Sequence, residues 1–316
     1  MFDILLRPTP LHIPDGFLSV GISLLFWGIS LIILWVAIRK TSGEYEERQI
    51  PLMGVMAAFV FAAQMINFPV VGGTSGHMLG GALVAIALGP WAGMLVMASV
   101  ITVQALLFQD GGLLVLGTNI FNMGIVTSTI GFGVYHLVAA KNPKTRLIFA
   151  GIAAWFSVLA SSFFTSGQLW LSGTTSLRIV FPAMMGIHAV IGLGEALITF
   201  AALSFILRTR PDILNPSQTQ QSGRGWVAVG LAISFLIVFI TPFASSNPDG
   251  LERVAMDLGF AETAQNASLQ ILPDYTIPFL GDGNLSTLAA GILGVIVVAV
   301  VAWGLLFLRR QTTSAS

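Results

Sequence analysis

Cysteine is absent from all 316 residues. Disulfides, thiolate metal sites and cysteine nucleophiles within the chain are therefore excluded. Charge is scarce too: Asp, Glu, Lys and Arg make up 9%, against about 25% in a soluble domain. The 14 basic residues are matched by 14 acidic ones, a balance that argues against a nucleic-acid partner. Neither a phosphate-binding Gly-x-x-x-x-Gly-Lys-Ser/Thr loop nor a His-Glu-x-x-His zinc helix occurs, so ATP hydrolysis and metalloprotease chemistry are not expected of this chain. Met1 to Pro10 is too short and too proline-rich to read as a secretory signal.

Apolar sequence is what the chain has instead. Hydrophobic residues make up 55%, and the mean hydropathy is +0.87. The fold class expected is an all-α integral membrane protein. A helix crosses a bilayer in about 20 apolar residues, and nine segments read as spans: 17–38, 51–68, 78–88, 91–108, 113–138, 147–170, 179–207, 226–243 and 288–308. The third is short and ends at Gly89-Pro90. The fifth is interrupted near its start by Gly117, Thr118 and Asn119. Spans of that kind must be shielded by protein or line a cavity, because lipid cannot satisfy bare backbone groups.

Basic residues collect on the cytoplasmic side of a membrane. With the N-terminus outside and the C-terminus inside, that side holds Arg39, Lys40, Arg48, Lys141, Lys144, Arg146, Arg208, Arg210, Arg224, Arg309 and Arg310, leaving only Arg7, Arg178 and Arg253 outside. The organisation expected is an N-terminal extension (1–10), a seven-helix body (11–208), a polar cytoplasmic linker (209–225) and a two-helix C-terminal domain (226–316). That domain's outer segment, 244–287, has room for a helix near Leu251 to Leu258. Pro-Asp-Gly occurs at Pro14 and again at Pro248, both on the outer face. In each, proline presets a turn and the aspartate can cap a helix start.

Only four histidines are present, and two lie in glycine-containing motifs at the outer ends of spans. One motif is His12-Ile13-Pro14-Asp15-Gly16-Phe17-Leu18. The other runs Gly72-Gly73-Thr74-Ser75-Gly76-His77-Met78-Leu79-Gly80-Gly81. Neutral imidazole is the commonest side-chain ligand for borderline transition metals. Pro14 stiffens the first segment and the glycines let the second fold tightly, so His12 and His77 can converge on one small site. Further ligands available from the sequence are Met78 sulfur, Asp15, a backbone nitrogen or a free terminal amine. The alternative is that both histidines are interfacial hydrogen-bonding residues. In the seventh span, His188 and Glu195 lie seven apart and share a helical face. An intramembrane acid is a functional candidate, with His188 or a polar group on a neighbouring helix as its partner.

These motifs, with Gly89-Pro90-Trp91, Asp110-Gly111-Gly112 and the stretch from Gly117 to Gly124 carrying Asn119, Phe121, Asn122 and Met123, resemble the CbiM/NikM family, the substrate-binding membrane components of cobalt/nickel energy-coupling-factor transporters. The resemblance covers His12 to about Arg208. Asn247-Pro248-Asp249-Gly250-Leu251-Glu252 is similar to the PDGLE domain that accompanies them. The resemblance implies a capture subunit for Co²⁺ or Ni²⁺ in the bacterial inner membrane, without a resident cofactor. It would work with a transmembrane coupling component and separate ATP-binding cassette ATPases. It further implies four nitrogen ligands at the outer face: the backbone nitrogen and imidazole of His12, the imidazole of His77, and a terminal amine at the position of Leu11. Ten residues precede Leu11 here, so its nitrogen is an amide unless the functional chain starts at residue 11 or 1–10 is removed. Asn119, Asn122, Gln104, Ser75 and Thr74 are candidates to orient the imidazoles. A stand-alone divalent-metal secondary transporter or channel is the competing expectation.

Overall fold

Apolar helices dominate the computed structural model, which describes residues 12–44, 50–138, 141–211, 225–265, 271–281 and 283–313. The 1–10 extension, Leu11 and most of the expected linker lie outside the described residues. All nine expected apolar segments are helical, with shifted ends. They are α1 (Val20–Glu44), α2 (Ile50–Gln64), α3 (Gly81–Leu88), α4 (Pro90–Val103), the composite α5 (Leu116–Asn119) and α6 (Thr127–His136), α7 (Pro143–Leu171), α8 (Leu177–Thr209), α9 (Gly225–Ile240) and α11 (Asn284–Thr313). The outer helix α10 (Gly250–Leu258) forms where the sequence suggests, with Asp249 Oδ1 accepting from the Glu252 backbone N–H at 2.8 Å as its N-cap. A small antiparallel pair, β1 (Phe68–Val70) and β2 (Thr74–Gly76), folds the glycine loop back on itself.

Six helices among the described residues are long and apolar enough to cross a membrane, and α2 is a shorter apolar helix. The six are α1, α4 with its extension, α7, α8, α9 and α11. The third expected span differs. α3 has eight residues, all buried, and at 1.5 Å per residue it rises about 12 Å, well under the hydrocarbon thickness. It is a shielded half-helix, packed against α4 and α6. The fifth span differs in another way. Gly117, Thr118 and Asn119 do not break it, because they are helical in α5. The irregularity comes next, a π-helical stretch at Ile120–Val126. A second π-helical turn, Gln104–Phe108, ends α4. Such turns often occur at functional sites, and both flank the loop that holds Asp110.

Lipid-facing surfaces follow the hydropathy. α1 exposes Leu24, Leu31, Ile32 and Trp35, and α9 exposes Leu236 and Phe239. Close helix contacts use small residues: Gly93 of α4 lies on Ala85 of α3, and Gly117 on Trp27 of α1. The C-terminal pair α9 and α11 packs on α2. A separate apolar cluster forms at the other end. Leu251, Val254 and Ala255 of α10 pack there with Ile13, Phe17, Val115 and Met184. The C-terminal domain thus lies directly against the segment that carries His12.

Candidate metal centre

His12 sits in a loop seated by backbone contacts. The Asn119 side chain clamps the next residue from both sides, accepting from Ile13 N at 3.2 Å and donating to Ile13 O at 3.0 Å. Gly112 N donates to Ile13 O at 3.0 Å. Asp15 accepts from the backbone N–H groups of Leu113 and Val115, each at 3.1 Å. Side chains at 111 and 112 would destroy this seat. A Cβ on Gly111, whose φ is +99°, would lie 2.9 Å from both His12 Cβ and Asn119 Nδ2, and one on Gly112 would overlap Asp15.

His77 is held from the other side. Glu195 of α8 accepts from Leu79 N at 2.7 Å and Gly80 N at 2.8 Å, and Gln64 donates to Leu79 O at 2.8 Å. A fully buried carboxylate here satisfies two backbone donors just after His77. Its partner is therefore the glycine loop rather than His188, whose Nδ1 bonds the Met184 carbonyl one turn back. Sharing a helix face did not make them a pair.

The two imidazoles meet, with ring centroids 5.7 Å apart and planes inclined by 60°. His12 is 2% exposed and His77 8%. His12 Nδ1 lies 3.0 Å from the Asp110 carbonyl oxygen and 3.7 Å from its Oδ1. A carbonyl can only accept, so Nδ1 carries the proton and Nε2 carries the lone pair. That Nε2 is buried without a hydrogen-bond partner. Burial lowers the His12 pKa below 6.5; Asp110 opposes the shift and His77 adds to it. The ring is thus held neutral, the form that binds metals.

Both rings line a cavity of about 60 Å³, together with His188, Asn119, Asn122 and Asp249. Asn122 exchanges hydrogen bonds with Gln168 at 2.7 and 2.9 Å, which fixes part of the wall. Pockets for organic ligands run to about 300–1,000 Å³, so this space suits a single small ion. Among the described residues, no three His, Cys, Asp or Glu side chains are grouped to hold a metal. Of the other ligands the sequence offered, Asp15 is engaged with the 113–115 backbone, and neither it nor Met78 lines the cavity. Ser75 binds the C-terminal domain, its N–H donating to Pro248 O and its hydroxyl to Asn247 O, each at 2.8 Å. The turn that follows, Asp249 to Leu251, is part of the cavity wall. Burial raises the Asp249 carboxyl to about 7, against the pull of His77.

The family description "Cobalt uptake substrate-specific transmembrane region" matches residues 12–213, and the PDGLE domain matches 224–311. The chain belongs to the cobalt uptake substrate-specific transmembrane family. It is 37% identical over 302 residues to the putative fused nickel transport protein NikMN of Archaeoglobus fulgidus, covering 93% of this chain and 98% of that one. It is 28% identical over 330 residues to the fused nickel transport protein NikMN of Rhodobacter capsulatus, covering 91% and 95%. The cobalt transport protein CbiM of Sorangium cellulosum is 30% identical over 225 residues, covering 68% of this chain and 99% of that one. A solved structure described as a truncated transition metal transporter superposes with a TM-score of 0.58 at 32% identity, covering 62% of this chain and 98% of that one. The chain is thus a multi-pass membrane protein of a cobalt/nickel transport family, with a C-terminal PDGLE domain.

Two residues at the site were not legible as functional from the sequence. Asp110 stood out only as part of the Asp110-Gly111-Gly112 motif, yet it is the partner of His12. Tyr275 carried no motif at all; its one signal is scarcity, as one of three tyrosines. Gln104, a candidate to orient an imidazole, instead donates to the Tyr275 hydroxyl at 3.3 Å.

Proposed function

We propose that the chain is the substrate-specific capture subunit of an ATP-driven, energy-coupling-factor importer, and that it binds Ni²⁺ or Co²⁺ through nitrogen. The observation that carries this reading is that the buried imidazole of His12 meets that of His77 in a cavity sized for one ion. The imidazoles of His12 and His77 are the side-chain ligands. Nitrogen from the 11–12 backbone completes the set, with Leu11 supplying a terminal amine where the functional chain starts there. An all-nitrogen set of this kind suits Ni²⁺, and low-spin Co²⁺ is compatible with it.

The site faces outward, and the arginines at the opposite ends of the helices face the cytoplasm. In support, Arg39 stacks over Trp35 and Arg210 over Trp226, as expected of basic side chains at a membrane interface. A transmembrane coupling component and separate ATP-binding cassette ATPases drive release inward. The PDGLE turn, bonded to Ser75 at the cavity wall, gates loading.

Radioactive nickel and cobalt uptake into proteoliposomes tests the reading. The full chain, with its coupling and ATPase partners and ATP, accumulates metal; His12→Ala and His77→Ala lose at least 100-fold of that uptake. Equal uptake without the ATPases would instead identify a stand-alone transporter or channel.

A further inference from the structure

The C-terminal helices leave a second cavity at the end of the molecule remote from His12 and His77. It takes in the first turns of α2, whose other end, at Gln64, bonds Leu79 beside His77. Its volume is about 640 Å³, within the range of pockets that take organic molecules. Every residue lining it is apolar, among them Val55 of α2, Leu231 and Phe235 of α9, and Val295, Ala299 and Trp303 of α11. Its shape follows from how these helices meet. α9 and α11 each pack on α2 more than on each other. Glycines set both contacts: Gly230 of α9 lies on Val55, and Gly54 of α2 on the Ala299 carbonyl. α9 and α11 touch at Val238 and Gly291, where a Cβ on the glycine would lie 2.7 Å from Val238 Cγ1. Past that contact a cleft runs between them, with α2 as its floor. Ile296, Val300 and Trp303 line it and are exposed, so it opens toward lipid.

Depth decides what fits. Val227 to Phe235 and Val295 to Trp303 each rise about 12 Å along the cleft. One leaflet supplies about 15 Å of hydrocarbon, half of the 30 Å core. The Val238–Gly291 contact closes the cleft one turn beyond Phe235, so it serves one leaflet only. A partner's transmembrane helix needs a groove through both leaflets; an acyl chain needs one. Wall atoms without neighbours forgo their dispersion contacts, which favours a chain that follows the cleft. The other end is suited to a headgroup. Arg210 lies 4.7 Å over the Trp226 ring at the start of α9, and tryptophan with arginine marks a membrane interface. Arg48 precedes α2, Arg208 lies in the last turn of α8, Arg224 precedes α9, and Arg309 and Arg310 follow Trp303 in α11 by about two turns. The acids next to these helix ends in sequence, Glu46, Glu47 and Asp212, are fewer. Clustered arginine at a bilayer surface selects anionic lipid.

We infer that the cleft between α9 and α11 is a lipid site: it seats one acyl chain of an anionic phospholipid, whose headgroup lies at the arginines, and the lipid joins the C-terminal pair to the body. The leaflet is the cytoplasmic one in the orientation proposed above. The site is independent of the metal ligands.

The test uses the purified, delipidated full chain in detergent. It receives phosphatidylglycerol or phosphatidylcholine with the same acyl chains, one of them carrying a photoreactive diazirine at its middle, and the labelled peptides are mapped by mass spectrometry. Phosphatidylglycerol is expected to label 227–235 and 295–303 saturably, at least fivefold better than phosphatidylcholine. Arg210→Gln narrows that preference by about fivefold. Ala299→Phe, which fills the cleft, loses at least tenfold of the labelling, while Val301→Phe, at an exposed position that does not line it, keeps it. Labelling spread evenly over the exposed faces of α1, α7 and α8 overturns the site, and this arm needs no variant to fold. Equal labelling by the two lipids, or a preference unchanged in Arg210→Gln, overturns the anionic headgroup. Undiminished labelling in an Ala299→Phe protein that melts as wild type overturns the seat. Labelling that disappears when the chain is purified with its coupling component shows that a protein fills the cleft, and overturns the lipid.

Discussion

At the scale of single residues, protons compete with the metal for the same lone pairs. Burial lowers the His12 pKa from 6.5, so the folded protein releases that proton before pH 6.5 is reached from below. Competition at His12 is therefore confined to acidic solution. Asp249, which lines the cavity, is raised to about 7 and is ionised by about pH 8, adding attraction for a cation. An amide nitrogen of the 11–12 backbone behaves differently, since it binds only by releasing a proton to the metal, and metal binding then stays proton-linked. The expected Ni²⁺ affinity, measured by competition titration at fixed pH, continues to rise by about tenfold per pH unit between about pH 8 and 9. A plateau above about pH 8 would leave the imidazoles without an amide nitrogen partner.

Residue identity made part of the site legible. His12 and His77 stood out because histidine is scarce and glycine surrounds both, and the structure brings their rings together. The role of Glu195 did not follow from its helix. A seven-residue spacing pointed to His188, but two unpaired backbone N–H groups of the glycine loop were the stronger claim on a buried carboxylate. Tyr275 meets Asp110 across 165 positions, a distance over which no local pattern speaks.

At the scale of elements, the site is a set of irregularities framed by regular helices. The sequence's nine apolar runs are all helical, because period and composition suffice for that. They also mark the third run, 78–88, as short, though not that its helix starts only at Gly81. α3 reads as a weak span and folds as a buried half-helix, since Gly80, with φ +86°, and Gly89-Pro90 stop it at both ends. The π-helical turns at 104–108 and 120–126 left no mark in hydropathy. Between them the Asp110-Gly111-Gly112 turn carries the loop from His12 to Asp15. Gly112→Ala is expected to eject that loop, because the new Cβ overlaps Asp15. Helix content measured by circular dichroism should stay at the wild-type level while Ni²⁺ affinity falls by at least tenfold. Wild-type affinity in this variant would show that the seat of the loop does not determine the site.

At the scale of the whole molecule, the body and the C-terminal domain share one wall. Ser75 is bonded to Pro248 and Asn247, Asp249 to Leu251 line the cavity, and α10 packs beside Phe17 and Met184. If the PDGLE turn gates loading, pinning it should close the site. The chain has no cysteine, so Ser75→Cys with Pro248→Cys introduces one addressable pair. Oxidation is expected to slow metal loading at least tenfold, and reduction to restore it; equal loading rates in both forms would remove the gate.

The central claim is that a small ion is held by nitrogen from His12 and His77. Nickel K-edge X-ray absorption on the metal-loaded full chain tests it most directly. The account predicts a first shell of nitrogen scatterers with outer-shell scattering from two imidazole rings and no sulfur. A sulfur neighbour, or a shell without imidazole, would contradict it.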